Sequence, residues 1–186
     1  VQFGRVHGIC VEKNSELPQD HPNRKYKGRV VFLGNQVLNQ DFESATFADL
    51  GNAPANLESG RLADCYGSCP GHVSENADGI QAYLQARMRG DDCWIELPPD
   101  ARPGGMFGPE MTVENLIKLI ALWQQFVCPV VLMGAALYGH PDSVSFWQTH
   151  CNKKVGNVGY RGLGSEWPSV FYHDELRLLL TIYVDD

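Results

Sequence analysis

Leu178-Leu179-Leu180-Thr181-Ile182-Tyr183-Val184-Asp185-Asp186 ends the chain: seven residues, all apolar or aromatic except Thr181, run into two adjacent carboxylates. An unbroken apolar run of this length reads as a buried strand. Charge beside a core strand is costly unless something compensates it, and a divalent cation commonly does. A third carboxylate from elsewhere would complete an all-oxygen site of the kind Mg²⁺ takes. That is the two-metal device for in-line displacement at phosphorus. A strand ending in a solvated acidic turn explains the same residues, so YVDD alone decides nothing. The upstream acid available is Asp78, in Asp78-Gly79-Ile80-Gln81-Ala82-Tyr83.

The rest of the chain supplies an ordered series of motifs. Tyr26-Lys27-Gly28-Arg29-Val30-Val31-Phe32-Leu33-Gly34 comes first, then Asp41-Phe42-Glu43-Ser44-Ala45-Thr46-Phe47-Ala48. Asp78-Gly79-Ile80-Gln81-Ala82-Tyr83-Leu84-Gln85 and Trp94-Ile95-Glu96-Leu97-Pro98-Pro99 follow. Ala136-Leu137-Tyr138-Gly139, continuing to Trp147, precedes the terminal YVDD. In this order the segments resemble the reverse transcriptase region of copia-type retrotransposon polyproteins. They match its YKARLVARG, D-x-x-E-T-F-x-P, DVKTAFLN, Y-M-x-Q-P-P, ALYGLKQ-x-P-R-A-W and YVDD motifs. The likeness runs from about Tyr26 to Asp186.

The resemblance implies an α+β fold of fingers and palm, with an antiparallel palm sheet packed on helices. Residues 1–23 would be an irregular, poorly ordered lead. Residues 24–75 and 91–135 would form fingers, the latter an insertion with a helix. Residues 76–90 would carry the first catalytic Asp, and 136–186 would be the palm part ending at YVDD. The implied reaction is template-directed transfer of deoxynucleotides to a primer 3′-hydroxyl. Asp78, Asp185 and Asp186, with the Gly79 backbone carbonyl, would hold two Mg²⁺ or Mn²⁺ ions. Two bridged metals would require the Asp78 and Asp185 carboxylates to approach within roughly 4–7 Å.

Tyr83 would floor the nucleotide sugar, an aromatic being equally suited to core packing. Lys27 and Arg29 would reach the triphosphate, or simply form a solvated face. Tyr138 and Gly139 would face the nucleotide. Partners implied are an RNA or DNA template-primer, deoxynucleoside triphosphates, and flanking integrase and RNase H segments. The implied setting is intracellular, in an element particle or the nucleus.

This chain departs from the family in several places. His140-Pro141-Asp142 stands where the family has Leu-Lys-Gln, Leu33 replaces an Arg, and Gly79 replaces a β-branched residue. An insertion separates Pro99 from Cys128. The changes fit a divergent lineage or a decayed copy that binds nucleic acid or protein without catalysis. The chain starts without an initiator Met and has no signal-peptide pattern. It therefore reads as a polyprotein fragment, inactive alone.

Net charge is −7, an awkward sign for a nucleic-acid enzyme. Residues 1–40, however, carry six Lys/Arg against three Asp/Glu, and residues 41–186 nine against nineteen. No apolar run is long enough to span a membrane. Six scattered cysteines give no dense disulfide framework. Cys65, Cys69 and His72, with His7 or Cys10 as a fourth ligand, offer a zinc alternative that lacks the usual second pair. Buried cysteines near a helix end explain them as well.

The sequence predicts a strand over 29–33 and a helix over 56–66 weakened by Gly60; residues 82–88, too short to classify by period, read as a strand end passing into one helical turn. Thr112 caps a helix with Val113, Leu116, Ile117, Ile120, Trp123 and Val127 on one face. Asp142 caps another, reaching 155, with Phe146, Trp147, His150, Cys151 and Lys154 on one side. Strands over 170–172 and 176–184 complete the reading.

Overall fold

The computed structural model of this chain describes residues 1–47, 55–98, 112–126 and 128–183. Its architecture is mixed α+β, with three helices and several strands among those residues. Strand β1 (Gln2–Lys13) folds back antiparallel onto β2 (Lys25–Phe32), in register from Val6 opposite Phe32 to Lys13 opposite Lys25. This corrects the expectation that residues 1–23 are irregular. The polar composition and the glycines at 4 and 8 conceal the strand, because its stability comes from partners distant in sequence. Gly4 is required: the Phe32 ring occupies the space where a Cβ would stand.

The turn between these strands is held by Arg24. It pairs with both Glu12 oxygens at 2.6 and 3.1 Å and donates to the Leu17 carbonyl at 2.9 Å. The first residues of β1 lie antiparallel to β3 (Leu38–Asn39) and parallel to β4 (Cys93–Glu96), which pairs antiparallel with β5 (Val130–Leu132). The resulting order is β2-β1-β4-β5, with β3 beside β1. Its core is Val6, Phe32, Val37, Cys93, Ile95 and Met133. Beyond Val6 the hairpin leaves this core, and residues 7–13 with 25–30 form a largely exposed two-stranded ribbon.

A second, antiparallel sheet consists of β6 (Tyr160–Gly162), β7 (Val170–His173) and β8 (Leu178–Thr181). Helix α1 (Leu57–Gly67) packs on β8, and α3 (Ser143–Asn157) packs on β6 and on a 3-10 turn at Tyr83–Gln85. The last strand starts later than the expected 176–184, since Leu176 and Arg177 (φ +53) belong to the β7–β8 turn. Pairing continues one step past β8, where Ile182 N–H donates to the Ser169 carbonyl at 2.9 Å.

The helix starts follow their capping residues. Asn56 accepts from Ser59 N–H at 2.8 Å ahead of α1. Thr112 accepts from Asn115 N–H at 3.3 Å ahead of α2 (Val113–Trp123). The partly buried side of α2 is Leu116, Leu119, Ile120 and Trp123; Val113 and Ile117 are exposed, unlike the expected face, and Val127 lies outside the described residues. Asp142 precedes α3 but makes no side-chain cap bond. Buried Ser143 brackets that turn instead, accepting from Leu137 N–H at 3.1 Å and donating to the Leu137 carbonyl at 2.7 Å. Along α3, Phe146, Trp147, His150 and Cys151 turn inward to varying depth, while Lys154 is exposed. Among the described residues no helix is long and apolar enough to cross a membrane.

Candidate nucleotide and metal site

Strand alternation puts Lys25, Lys27 and Arg29 on one face of β2. Residues directly opposite in an antiparallel pair share a face, so Lys13, Val11 and Ile9 of β1 join them. The cations crowd one another. Lys13 and then Arg29 hold the Lys27 ammonium below the ordinary lysine range, and Asp78 acts in the opposite sense. Asp78 thus lies within electrostatic reach of Lys27. It is exposed, on a stretch (72–79) without regular secondary structure. The expected strand end before a helical turn is replaced by the reverse order. The 3-10 turn at Tyr83–Gln85 comes first, then a bridge between Arg87 and Ala135. Gly79 is also exposed, and a Cβ there would meet only Ala82, at 3.9 Å.

Tyr83, Tyr138 and Gly139 come together elsewhere. Tyr83 is 3% exposed, packed with Ala86 and Ala136. Its ring meets Tyr138 edge-on, centroids 4.6 Å apart at 77°. Core packing therefore accounts for this aromatic. Tyr138 ties to the end of β2, its carbonyl accepting from Phe32 N–H at 2.7 Å. Gly139 has φ +88, and the Phe32 carbonyl fills the place of its missing side chain. Glycine is needed here for a backbone crossing. The crossing staples β2, which carries Lys27 and Arg29, to the start of α3.

His140 follows that crossing and is 4% exposed. It is surrounded by Phe32, Phe47 and Phe146, ring centroids 4.9, 5.6 and 6.2 Å away. Its Nδ1 accepts from Asp142 N–H at 3.2 Å. Burial lowers its pKa to about 4 and raises that of Asp142. An imidazole so enclosed is a neutral core group.

Asp185 and Asp186 lie outside the described residues, as does Val184. Tyr183, just before them, is exposed. Among the described residues no three or more His, Cys, Asp or Glu side chains gather where they could hold a metal. Asp78 alone, within electrostatic reach of an ammonium, does not make a Mg²⁺ site; the set would require Asp185 and Asp186. Cys65 and Cys69 are exposed at the end of α1, Cys69 Sγ donating to the Cys65 carbonyl at 3.6 Å. The His72 ring stands against Tyr66, centroids 4.5 Å apart.

The sequence groups Lys25 with Arg24, Lys27 and Arg29 as a basic cluster, but it does not reveal Lys13 as a member of the basic face. The signal that finds Lys13 is the hairpin register, which appears only once residues 2–13 are recognised as a strand. Compared with protein-family models, curated proteins and solved structures, the chain matches none of them.

Proposed function

We propose that this chain is the fingers and first palm portion of an RNA-directed DNA polymerase of the copia type. Its substrates would be a template-primer and deoxynucleoside triphosphates. The observation that carries the reading is the face on which Lys13, Lys25, Lys27 and Arg29 crowd together, with Asp78 within reach of Lys27. Crowded cations with little internal compensation suit a polyanion such as a triphosphate or nucleic-acid backbone. A sheet assembled from residues 2–39 with 93–96 and 130–132 also suits fingers built from two chain segments.

In this reading Lys27 and Arg29 orient the triphosphate. Asp78, Asp185 and Asp186 are the carboxylates for Mg²⁺ or Mn²⁺. Two such ions, when bound, lower the pKa of the primer hydroxyl and stabilise charge on the leaving pyrophosphate. Tyr138 and Gly139 hold the end of β2 in place through the Phe32 crossing.

A second reading, a nucleic-acid-binding piece without catalysis, is favoured by Asp78 lying on an irregular exposed stretch within electrostatic reach of a lysine. Mn²⁺ titration followed by electron paramagnetic resonance separates the two. The polymerase reading expects saturable Mn²⁺ that is weakened in both Asp78→Asn and Asp185→Asn. Mn²⁺ indifferent to both substitutions, beside retained binding of an RNA–DNA primer-template, leaves the second reading.

A further inference from the structure

The loop between β6 and β7 and the outer side of α3 enclose a cleft of about 530 Å³, independent of the basic face. This lies within the roughly 300–1,000 Å³ typical of small-molecule sites. From α3 come Gln148 and Asn152, one helical turn apart on the same side. From the loop and β7 come Gly164, Ser165, Trp167 and Phe171. None of the residues lining the cleft carries a charge.

The loop is shaped before any ligand arrives. Leu163 N–H donates to the Val170 carbonyl at 3.0 Å, closing its neck. Trp167 N–H donates to the Gly164 carbonyl at 3.2 Å and Val170 N–H to the Trp167 carbonyl at 3.3 Å. Gly164, at φ +103, takes a conformation that other residues rarely adopt. Such pre-organisation lowers the entropy cost of binding.

The side chains facing this cleft have hydrogen-bonding capacity left over. Neither the carboxamides of Gln148 and Asn152, the Ser165 hydroxyl nor the Trp167 indole N–H bonds to another described residue. Aromatic side chains lining one cleft with unused carboxamides match a flat heterocycle. Rings stack on the indole, and a carboxamide pairs its donor and acceptor with the adjacent donor and acceptor on a purine edge. The lack of charge argues against phosphate as the recognised group. The lack of a carboxylate disfavours a sugar, whose many hydroxyl donors call for strong acceptors.

We propose that this cleft binds an unpaired purine base, stacked near Trp167 and read by Gln148 and Asn152. The base could be a free nucleoside or could protrude from a single strand; the chemistry is the same.

The test is a ¹H–¹⁵N titration following the Trp167 indole cross-peak, assigned by its disappearance in Trp167→Phe. The probes are adenosine, a short oligodeoxyadenylate and methyl glucoside. The expected result is a saturable shift with adenosine, the oligonucleotide or both, and none with methyl glucoside. A shift with the oligonucleotide alone identifies the strand as the source. Gln148→Ala and Asn152→Ala, both on the outer side of α3, should each weaken binding about tenfold while leaving the rest of the spectrum in place. No shift with either purine probe overturns the proposal. So does an equal response to methyl glucoside, or purine binding unchanged in both alanine variants.

Discussion

Acidification should destabilise this protein chiefly through one buried side chain, His140, with the Glu12 and Asp174 carboxylates, held below their usual range by Arg24 and Arg161, acting in the same sense. The His140 ring is 4% exposed among Phe32, Phe47 and Phe146. Nδ1 already accepts from Asp142 N–H, so the neutral ring carries its proton on Nε2. A second proton would sit on Nδ1, turning an acceptor into a donor that faces a donor. Burial holds the folded pKa down to about 4 against an ordinary value of 6.5, and this clash works in the same sense. The unfolded chain therefore binds the proton more readily, and stability rises with pH through that window. The contribution is fully present above pH 6.5 and is lost as pH falls toward 4. Between pH 7 and 4.5 the difference amounts to about 2–3 kcal/mol, a large share of the ~5–15 kcal/mol that holds a typical domain together. Asp142, whose pKa burial raises, works in the opposite direction near the bottom of the window. Urea titrations at pH 7 and 4.5, read by circular dichroism, measure the loss. His140→Asn supplies an amide oxygen in place of Nδ1 without a titrating group. It should be less stable at pH 7, because it leaves a cavity, but should lose about 2 kcal/mol less on acidification. An Asn variant with the same pH dependence as the parent would refute the argument.

Gly139→Ala should cost about 3 kcal/mol or more, since φ +88 and the Phe32 carbonyl both oppose a side chain; a thermal midpoint within 2 °C of the parent would contradict this. Ser143→Ala removes the acceptor of Leu137 N–H from a buried turn and should cost about 1–3 kcal/mol by urea titration. Lys27→Ala should weaken binding of a single-stranded oligonucleotide and flatten the log–log salt dependence by ~0.7 for each phosphate that is no longer neutralised. An unchanged slope in fluorescence anisotropy would remove Lys27 from the interface.

Helices were legible because their signals are local. Thr112 announces its helix within four residues, and the 3.6-residue period carries α2 and α3. The inward face of α2 was misread because Leu119 and Ile117 both fit an apolar stripe, and only packing chooses between them. Strands β4 and β5 have four and three residues, too few for alternation to register. Strand β1 was hidden for a different reason. Its outer half, which includes Ile9 and Val11, lies on a ribbon that buries little, and its inner half is held by β2, β3 and β4, which come from three other parts of the chain. At the site, the chemistry of Lys27, Arg29 and Asp78 was readable as residue types, and their association through the hairpin register was not. Tyr83 was open in the sequence both to a nucleotide and to core packing, and the structure surrounds it with Ala86, Ala136 and Tyr138.

The net charge of −7 argued against a polyanionic partner, but it is the wrong quantity for a site this small. At physiological ionic strength a charge is felt over about 8 Å. Strand pleating matters more at that range than composition does. Because β1 and β2 pair with Lys13 opposite Lys25, the cations at 25, 27 and 29 fall on the same face as Lys13. Glu12 falls on the other face and is taken up by Arg24. The hairpin thus gathers cations on one face and holds Glu12, neutralised by Arg24, on the other. A one-residue slip in register would move Glu12 across and destroy that arrangement. The Arg24–Glu12 clamp fixes that register at the turn. Removing it should therefore weaken anion binding even though neither residue belongs to the basic face.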